Sequence, residues 1–331
     1  MKKHLSKEHL FGELKLRPGL IPVSIDAENR RLNWLDAEKY HFYEGFFSKS
    51  LRMFSALKKG NLSEFTTDLT VLEDNRILTD YVYPSGFIFH ASRSGSTLLT
   101  KILARTRKNS IISEAPPHNQ IWEFLAGVEK NIPEQSERNK RIYKNLLLAM
   151  ARKRVATHEK HFIKFTSFNI RFVDFIKSVF PDVPSVFLYR APKKILASLN
   201  KKSAAWSDLK NQESVKFLLG VSPEKAATEF AAQAVESFFT GALKHDSDKL
   251  KYLNFDKLNR ENLTIVLEFF NVEAGESELA LMKSEFNYYS KSDFNKKKFS
   301  DSPDLELAND SNDALELLFR RLKSSRRNLL M

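Results

Sequence analysis

The chain has 331 residues, 42% of them hydrophobic and 28% charged, which is a globular composition long enough for one large α/β domain with an appendage. It contains no cysteine, so disulfides, thiolate metal sites and cysteine nucleophiles are excluded. Its 53 basic and 41 acidic residues leave a net charge of +12, which suits an anionic partner, the ordinary alternative being a solvated basic surface.

The first twenty residues, MKKHLSKEHLFGELKLRPGL, carry basic residues but no apolar stretch of signal-peptide type, and a cytoplasmic location is expected. No run approaches the ~18 apolar residues that a membrane span needs, so no membrane partner is expected. Residues 1–80 are read as an N-terminal, mostly helical extension. Residues 1–33 show no clear period, residues 36–58 place Phe42, Phe46, Phe47, Leu51, Phe54 and Leu57 on one helical stripe, and short extended pieces fall near 65–71 and 77–82.

From residue 81 the pattern becomes strand–helix alternation, read as one α/β domain over 81–331. Short apolar runs at 86–91, 110–115, 161–166, 184–190 and 249–255 read as buried parallel strands. Helical patterns separate them at 96–105, 118–129, 136–156, 169–179, 222–245 and 256–270, with Pro192 in a first helical turn and a last helix at 312–327. Such alternation predicts a parallel sheet flanked by helices, with ligands at the carboxyl ends of the strands.

The segment FIFHASRSGSTLLTKIL (87–103) is a strand, a small-residue turn and a helix. This arrangement aims backbone N–H groups and the positive end of a helix at one point, where a phosphate fits. Gly95 permits close backbone approach, Ser94, Ser96 and Thr97 offer hydroxyls, and Arg93 offers a fixed charge with forked donors. Aligned on Gly95, the nucleoside-triphosphatase pattern GxxxxGK finds His90 at its first glycine and Ser96 at its lysine, so the cation that reaches the terminal phosphates of ATP is missing.

Arg-Ser-Gly-Ser-Thr (93–97) resembles the 5′-phosphosulfate loop of the sulfotransferase family. About a hundred residues on, FPDVPSVFLYRAPKKILASLNKKS (180–203) is similar to the family's 3′-phosphate segment: a strand ending in arginine, a proline, then a helix carrying serine, here Arg190, Pro192 and Ser198. KFTSFNIRFVDFIKSVFPD (164–182) looks like the stretch that precedes it. The resemblance spans 86–203 well and 249–300 faintly. It implies a P-loop-NTPase-like fold, 3′-phosphoadenosine 5′-phosphosulfate (PAPS) as donor, no metal, and a small-molecule, glycan or peptide acceptor. It also implies Arg93 as the loop cation and Arg93, Ser94, Gly95, Ser96, Thr97, Arg190 and Ser198 as donor-binding residues. Family members carry a His or Glu base at or beyond the end of the second strand. Glu114 stands at that position, with His118 and His90 in reserve, and its structural alternative is a cap for the helix that Pro116 and Pro117 begin. The family's Arg-Lys-Gly adenosine stretch is absent, with NKKK (295–298) as a basic substitute. Two other classes remain: an atypical P-loop kinase, opposed by Ser96, and a non-catalytic nucleotide or polyanion binder, suggested by charge alone. No nucleic-acid-binding motif is present, and no nucleic-acid partner is expected.

Overall fold

A computed structural model describes residues 3–127, 132–212, 214–245, 247–288 and 313–330. The fold is α/β. Strands β1 (Lys3–His4), β2 (Leu20–Asp26), β3 (Arg31–Asp36) and β4 (Glu64–Asp68) form a four-stranded sheet ordered β1-β4-β3-β2. Strands β5 (Pro84–His90), β6 (Asn109–Ser113), β7 (Lys160–Lys164), β8 (Ser185–Tyr189) and β9 (Leu250–Asn254) form a parallel sheet ordered β6-β7-β5-β8-β9 with helices on its faces. The parallel sheet flanked by helices that the strand–helix alternation predicts is therefore present. Strands β6 and β8 are buried at every residue, which is why they read as unbroken apolar runs.

The N-terminal part holds helices at Lys7–Leu16 and Phe47–Leu57, and it also holds the four-stranded sheet that periodicity did not show. The helical stripe read over 36–58 begins only at Phe47. Leu32 and Trp34 alternate inward along β3, while Phe42 packs its ring edge on Phe47, 5.4 Å between centroids, from outside the helix. Pro22 disguised β2, which tolerates it as an edge strand with a register irregularity between Pro22 and Ser24. Farther on, the long helix runs over Ala227–Lys244, the region 256–270 is α-helical only over Leu263–Phe269 after a 3₁₀ turn at Phe255–Lys257, and the last helix spans Asp313–Lys323.

The chain divides into two compact units. The first comprises Met1–Ser85, Ala104–Lys164 and Phe175–Pro181. Its core stacks Trp122 on Tyr143 at 4.8 Å with Phe175 edge-on to both. Arg152, buried, fastens the first helix by donating Nη2 to the Leu14 and Arg17 carbonyls at 2.6 and 3.0 Å, satisfying acceptors that a helix end leaves open. His118 and His161 are wholly buried here, and burial pulls the His118 imidazole down to about 3.

That burial has a consequence for acid stability. The neutral ring is the folded form, so nothing is lost above the ordinary imidazole value near 6.5. As pH falls below it, the unfolded chain takes up a proton that the folded chain refuses until about 3. At pH 4.5 this one residue is expected to cost about 2–3 kcal/mol of folding stability. Denaturant melts of the wild type and His118→Phe at pH 7.5 and 4.5 check this. An equal acid loss in both proteins would rule His118 out as its source.

The second unit comprises Gly86–Leu103, Phe165–Asp174 and Asp182–Met331. Strands β5, β8 and β9 lie side by side in it, pairing His90 with Leu188 and Tyr189 with Asn254. Phe187 packs edge-on against Phe239 and Tyr252 between sheet and helix. The outer edge of β9 is covered by the chain's end: Tyr252 N donates to the Arg327 carbonyl and Leu329 N to the Tyr252 carbonyl, both at 2.8 Å.

Candidate active site

In the second unit, three adjacent parallel strands end at one edge. Behind β5, residues Ser92, Arg93 and Gly95 take φ values of +66°, +47° and +82°, which bends the chain sharply into the helix Ser96–Leu103. Two non-glycine residues in the left-handed region store strain, a feature that concentrates at ligand sites. The turn is braced from beneath. Ser94 is fully buried and donates its hydroxyl to the Leu188 carbonyl at 2.9 Å, and the Ser92 N–H donates to His90 Nδ1 at 3.1 Å. Ser94 therefore spends its hydroxyl proton on the sheet, and what it can offer a phosphate is its main chain. Ser96 and Thr97 lie in the first helical turn, where N–H groups have no carbonyl within the helix to bond.

Arg93 reaches from the loop to the end of the helix that follows β8, Pro192–Lys201. Its Nη2 donates to the carbonyls of Lys202 and of Ser203, the latter at 2.9 Å. One side chain so joins the loop to the segment that carries Ser198, which lies half-buried on that helix.

Arg190 stands directly behind β8. Its guanidinium lies 4.9 Å from the ring centre of Phe255, and its Nε, 3.9 Å from Asp256 Oδ1, is buried without a hydrogen-bond partner. Lys194, one helical turn on, is also 3.9 Å from Asp256. Phe255 follows β9 and meets the loop as well: a Cβ built on Gly95 would fall 2.1 Å from its ring. The aromatic ring thus touches both segments read from sequence, and neither it nor Asp256 was among the residues expected there. The signal available was the strand end itself, Asn-Phe-Asp at 254–256.

Glu114 belongs to the first unit, behind β6, at a left-handed φ of +50°. The helix that follows, Pro116–Ala126, has Ala115 at its N-cap and no side-chain cap bond. The Glu114 carboxylate is instead 2.8 Å from the ammonium of Lys164, which ends β7 opposite Ser113 and is wholly buried. Lys164 also donates to the Gly45 carbonyl at 3.0 Å and lies 4.5 Å from the ring centre of Phe46. Sequence reading missed Lys164 as a partner, although a lysine inside the apolar run HFIKFT marked it. His118 and His90 are both buried, His90 with Nδ1 engaged by the loop. The NKKK segment at 295–298 lies outside the described residues. Among the described residues, no cluster of three or more His, Asp or Glu is placed to hold a metal, and no helix is long and apolar enough to cross a membrane.

Residues 84–274 match the model of the sulfotransferase family. The chain belongs to the sulfotransferase family. Similar solved structures include the sulfotransferase domain of the olefin synthase of Synechococcus PCC 7002, at 13% identity over 75% of this chain and 97% of that one, TM-score 0.45. A sulfotransferase from Mycobacterium avium is 11% identical over 98% of this chain and 97% of that one, TM-score 0.49. A third, from Alicyclobacillus acidocaldarius, is 13% identical over 62% and 93%, TM-score 0.36. No curated protein matches the chain.

Proposed function

We propose that this sulfotransferase moves a sulfuryl group from PAPS to a hydroxyl or amine of a small-molecule, glycan or peptide acceptor, without a metal and in the cytoplasm. The observation that carries the reading is Arg190, whose buried Nε lacks a hydrogen-bond partner at the strand edge where the Gly95 turn also opens. A phosphate supplies the missing acceptor. Bound there, PAPS would supply the sulfuryl group: the bond from sulfur to the 5′-phosphate oxygen breaks as one forms from sulfur to the acceptor's oxygen or nitrogen, and adenosine 3′,5′-bisphosphate leaves.

The residues divide the work as follows. The N–H groups of Gly95, Ser96 and Thr97 and the main chain of Ser94 hold the 5′-phosphate, while Arg190 and the Ser198 hydroxyl hold the 3′-phosphate. Arg93 stays charged at every working pH, so it balances charge on the departing phosphate without giving up a proton. The Glu114 carboxylate, oriented by Lys164, takes the acceptor's proton. Residues 81–331 form the sulfotransferase part and residues 1–80 its extension. The kinase reading lacks a cation at Ser96, and the polyanion-binding reading leaves the strand-edge arrangement unexplained.

Calorimetry in the presence of EDTA tests the donor. Adenosine 3′,5′-bisphosphate should bind, and adenosine 5′-phosphate markedly more weakly. Equal binding of the two removes the 3′-phosphate role from Arg190 and Ser198. Arg93→Ala should weaken bisphosphate binding by about ten- to a hundredfold, the worth of one charge-assisted hydrogen bond. Unchanged affinity in the folded variant would take Arg93 out of the donor site.

A further inference from the structure

The described surface of the first unit contains a cavity of about 390 Å³ lined by Lys39, Tyr40, His41, Tyr43, Arg105 and Arg107, with Ala104 and Val155 beneath. None of its lining residues belongs to the donor site described above. Three of them are cations and none is a carboxylate. The neighbouring carboxylates are engaged by other lysines: Glu38 with Lys58 at 2.6 Å, Glu44 with Lys49 at 2.9 Å and Glu159 with Lys108 at 3.5 Å. Among the described residues, no carboxylate comes within ion-pair distance of Lys39, Arg107 or Arg154.

Arg154 adds a fourth positive charge. It is buried, lies 4.4 Å from the Phe42 ring centre, and its Nε has no hydrogen-bond partner. Its charge is felt at the cavity wall. His41 is lowered first by burial and then by Arg154 and Arg107, and its Nε2 donates to the Ala104 carbonyl at 3.3 Å. Behind it, His158 is lowered by burial and by Arg154, His41 and Lys153. Lys39, Arg107 and Arg154, like charges with no described carboxylate at ion-pair distance, repel one another, and a bound anion removes that cost. The aromatic side of the cavity is made by Tyr40 and Tyr43, whose rings lie 6.2 Å apart and are inclined at 50°. A volume near 390 Å³ falls in the range of small-molecule sites.

We propose that this cavity is a second ligand site, for a small molecule that joins a phosphate group to an aromatic ring. Lys39, Arg105 and Arg107 receive the phosphate, and Tyr40 and Tyr43 face the ring. A nucleotide and a phosphorylated phenol share this chemistry. The site stands independently of the donor assignment, because no residue serves both.

The test uses the full chain, with phenyl phosphate as probe and inorganic phosphate and phenol as its two halves. Titration by calorimetry at low salt should show phenyl phosphate binding more tightly than either half. The Lys39→Ala/Arg107→Ala variant, altered only at exposed positions, should lose tenfold or more in affinity with its melting temperature kept. Tyr43→Ala should erase the advantage of phenyl phosphate over inorganic phosphate. Arg93→Ala should bind phenyl phosphate as the wild type does, which separates this cavity from the donor loop. Adenosine 5′-phosphate titrated into Arg93→Ala, with and without Lys39→Ala/Arg107→Ala, distinguishes a nucleotide from a simpler aryl phosphate, and binding of either that the two cavity substitutions remove supports the proposal. Equal affinity in the wild type and the Lys39→Ala/Arg107→Ala variant overturns it, as does loss of phenyl phosphate binding in Arg93→Ala.

Discussion

Glu114→Gln is expected to lower turnover by about 10²–10⁴-fold, the worth of a positioned general base, while donor affinity changes little. The same variant is also expected to be less stable. The Lys164 ammonium is wholly buried, 2.8 Å from the carboxylate, and it also meets a carbonyl at 3.0 Å and an aromatic face. Removing the carboxylate takes from a buried cation the opposite charge 2.8 Å away, at a cost of about 3–5 kcal/mol. A fall in melting temperature therefore does not separate a base from a structural ion pair. The double variant Glu114→Gln/Lys164→Met does, because it removes both charges and fills the same space with an apolar chain. Stability should then recover. Turnover should stay low if the carboxylate takes the acceptor's proton. Turnover that recovers together with stability would mean that Glu114 only held the fold, and the base would have to be sought elsewhere. Lys164→Met alone completes the cycle: a positioning residue lost on its own should move the pH dependence of turnover, which a merely structural lysine would leave in place.

The five strands of the parallel sheet were legible because each is buried on both faces and reads as a short apolar run; the runs at 86–91, 110–115, 161–166, 184–190 and 249–255 overlap β5 to β9. The four-stranded sheet was not. Its first strand is two residues long and pairs Lys3 with Phe65, a partner that no local period can reveal. Pro22 and the register irregularity beside it break the alternation of β2. The stripe read over 36–58 is buried at Phe42, Phe47 and Phe54 but ends on the exposed Leu57, and Phe42 reaches the core from outside the helix, which starts only at Phe47. At the candidate site, local motifs found the turn at 93–97 and the strand-end arginine at 190. They could not find what a third strand contributes. Phe255 and Asp256 arrive from β9, which follows β8 in the sheet but sixty residues later in the chain. Nor could sequence tell a hydroxyl aimed at a ligand from one aimed at the sheet, as Ser94 shows.

Gly95→Ala is expected to weaken binding of adenosine 3′,5′-bisphosphate more than Arg93→Ala does, by about 10²–10⁴-fold, because it disturbs several charge-assisted hydrogen bonds and not one. Two separate effects act at this position. The φ of +82° strains any residue with a Cβ, at about 1–3 kcal/mol. The added carbon also falls 2.1 and 2.4 Å from two carbons of the Phe255 ring, so ring or loop must move. If the ring moves, it leaves Arg190, whose guanidinium it faces at 4.9 Å. If the loop moves, its N–H groups lose their aim. Either way, both proposed phosphate sites suffer from one methyl group. A double-variant cycle with Phe255→Ala separates the effects. Removing the ring relieves the collision and leaves the backbone strain, so Gly95→Ala should cost less in the Phe255→Ala background than in the wild type. Additive losses would mean that loop and ring do not act on each other. Normal bisphosphate affinity in a folded Gly95→Ala protein would remove the 93–97 turn from the donor site altogether.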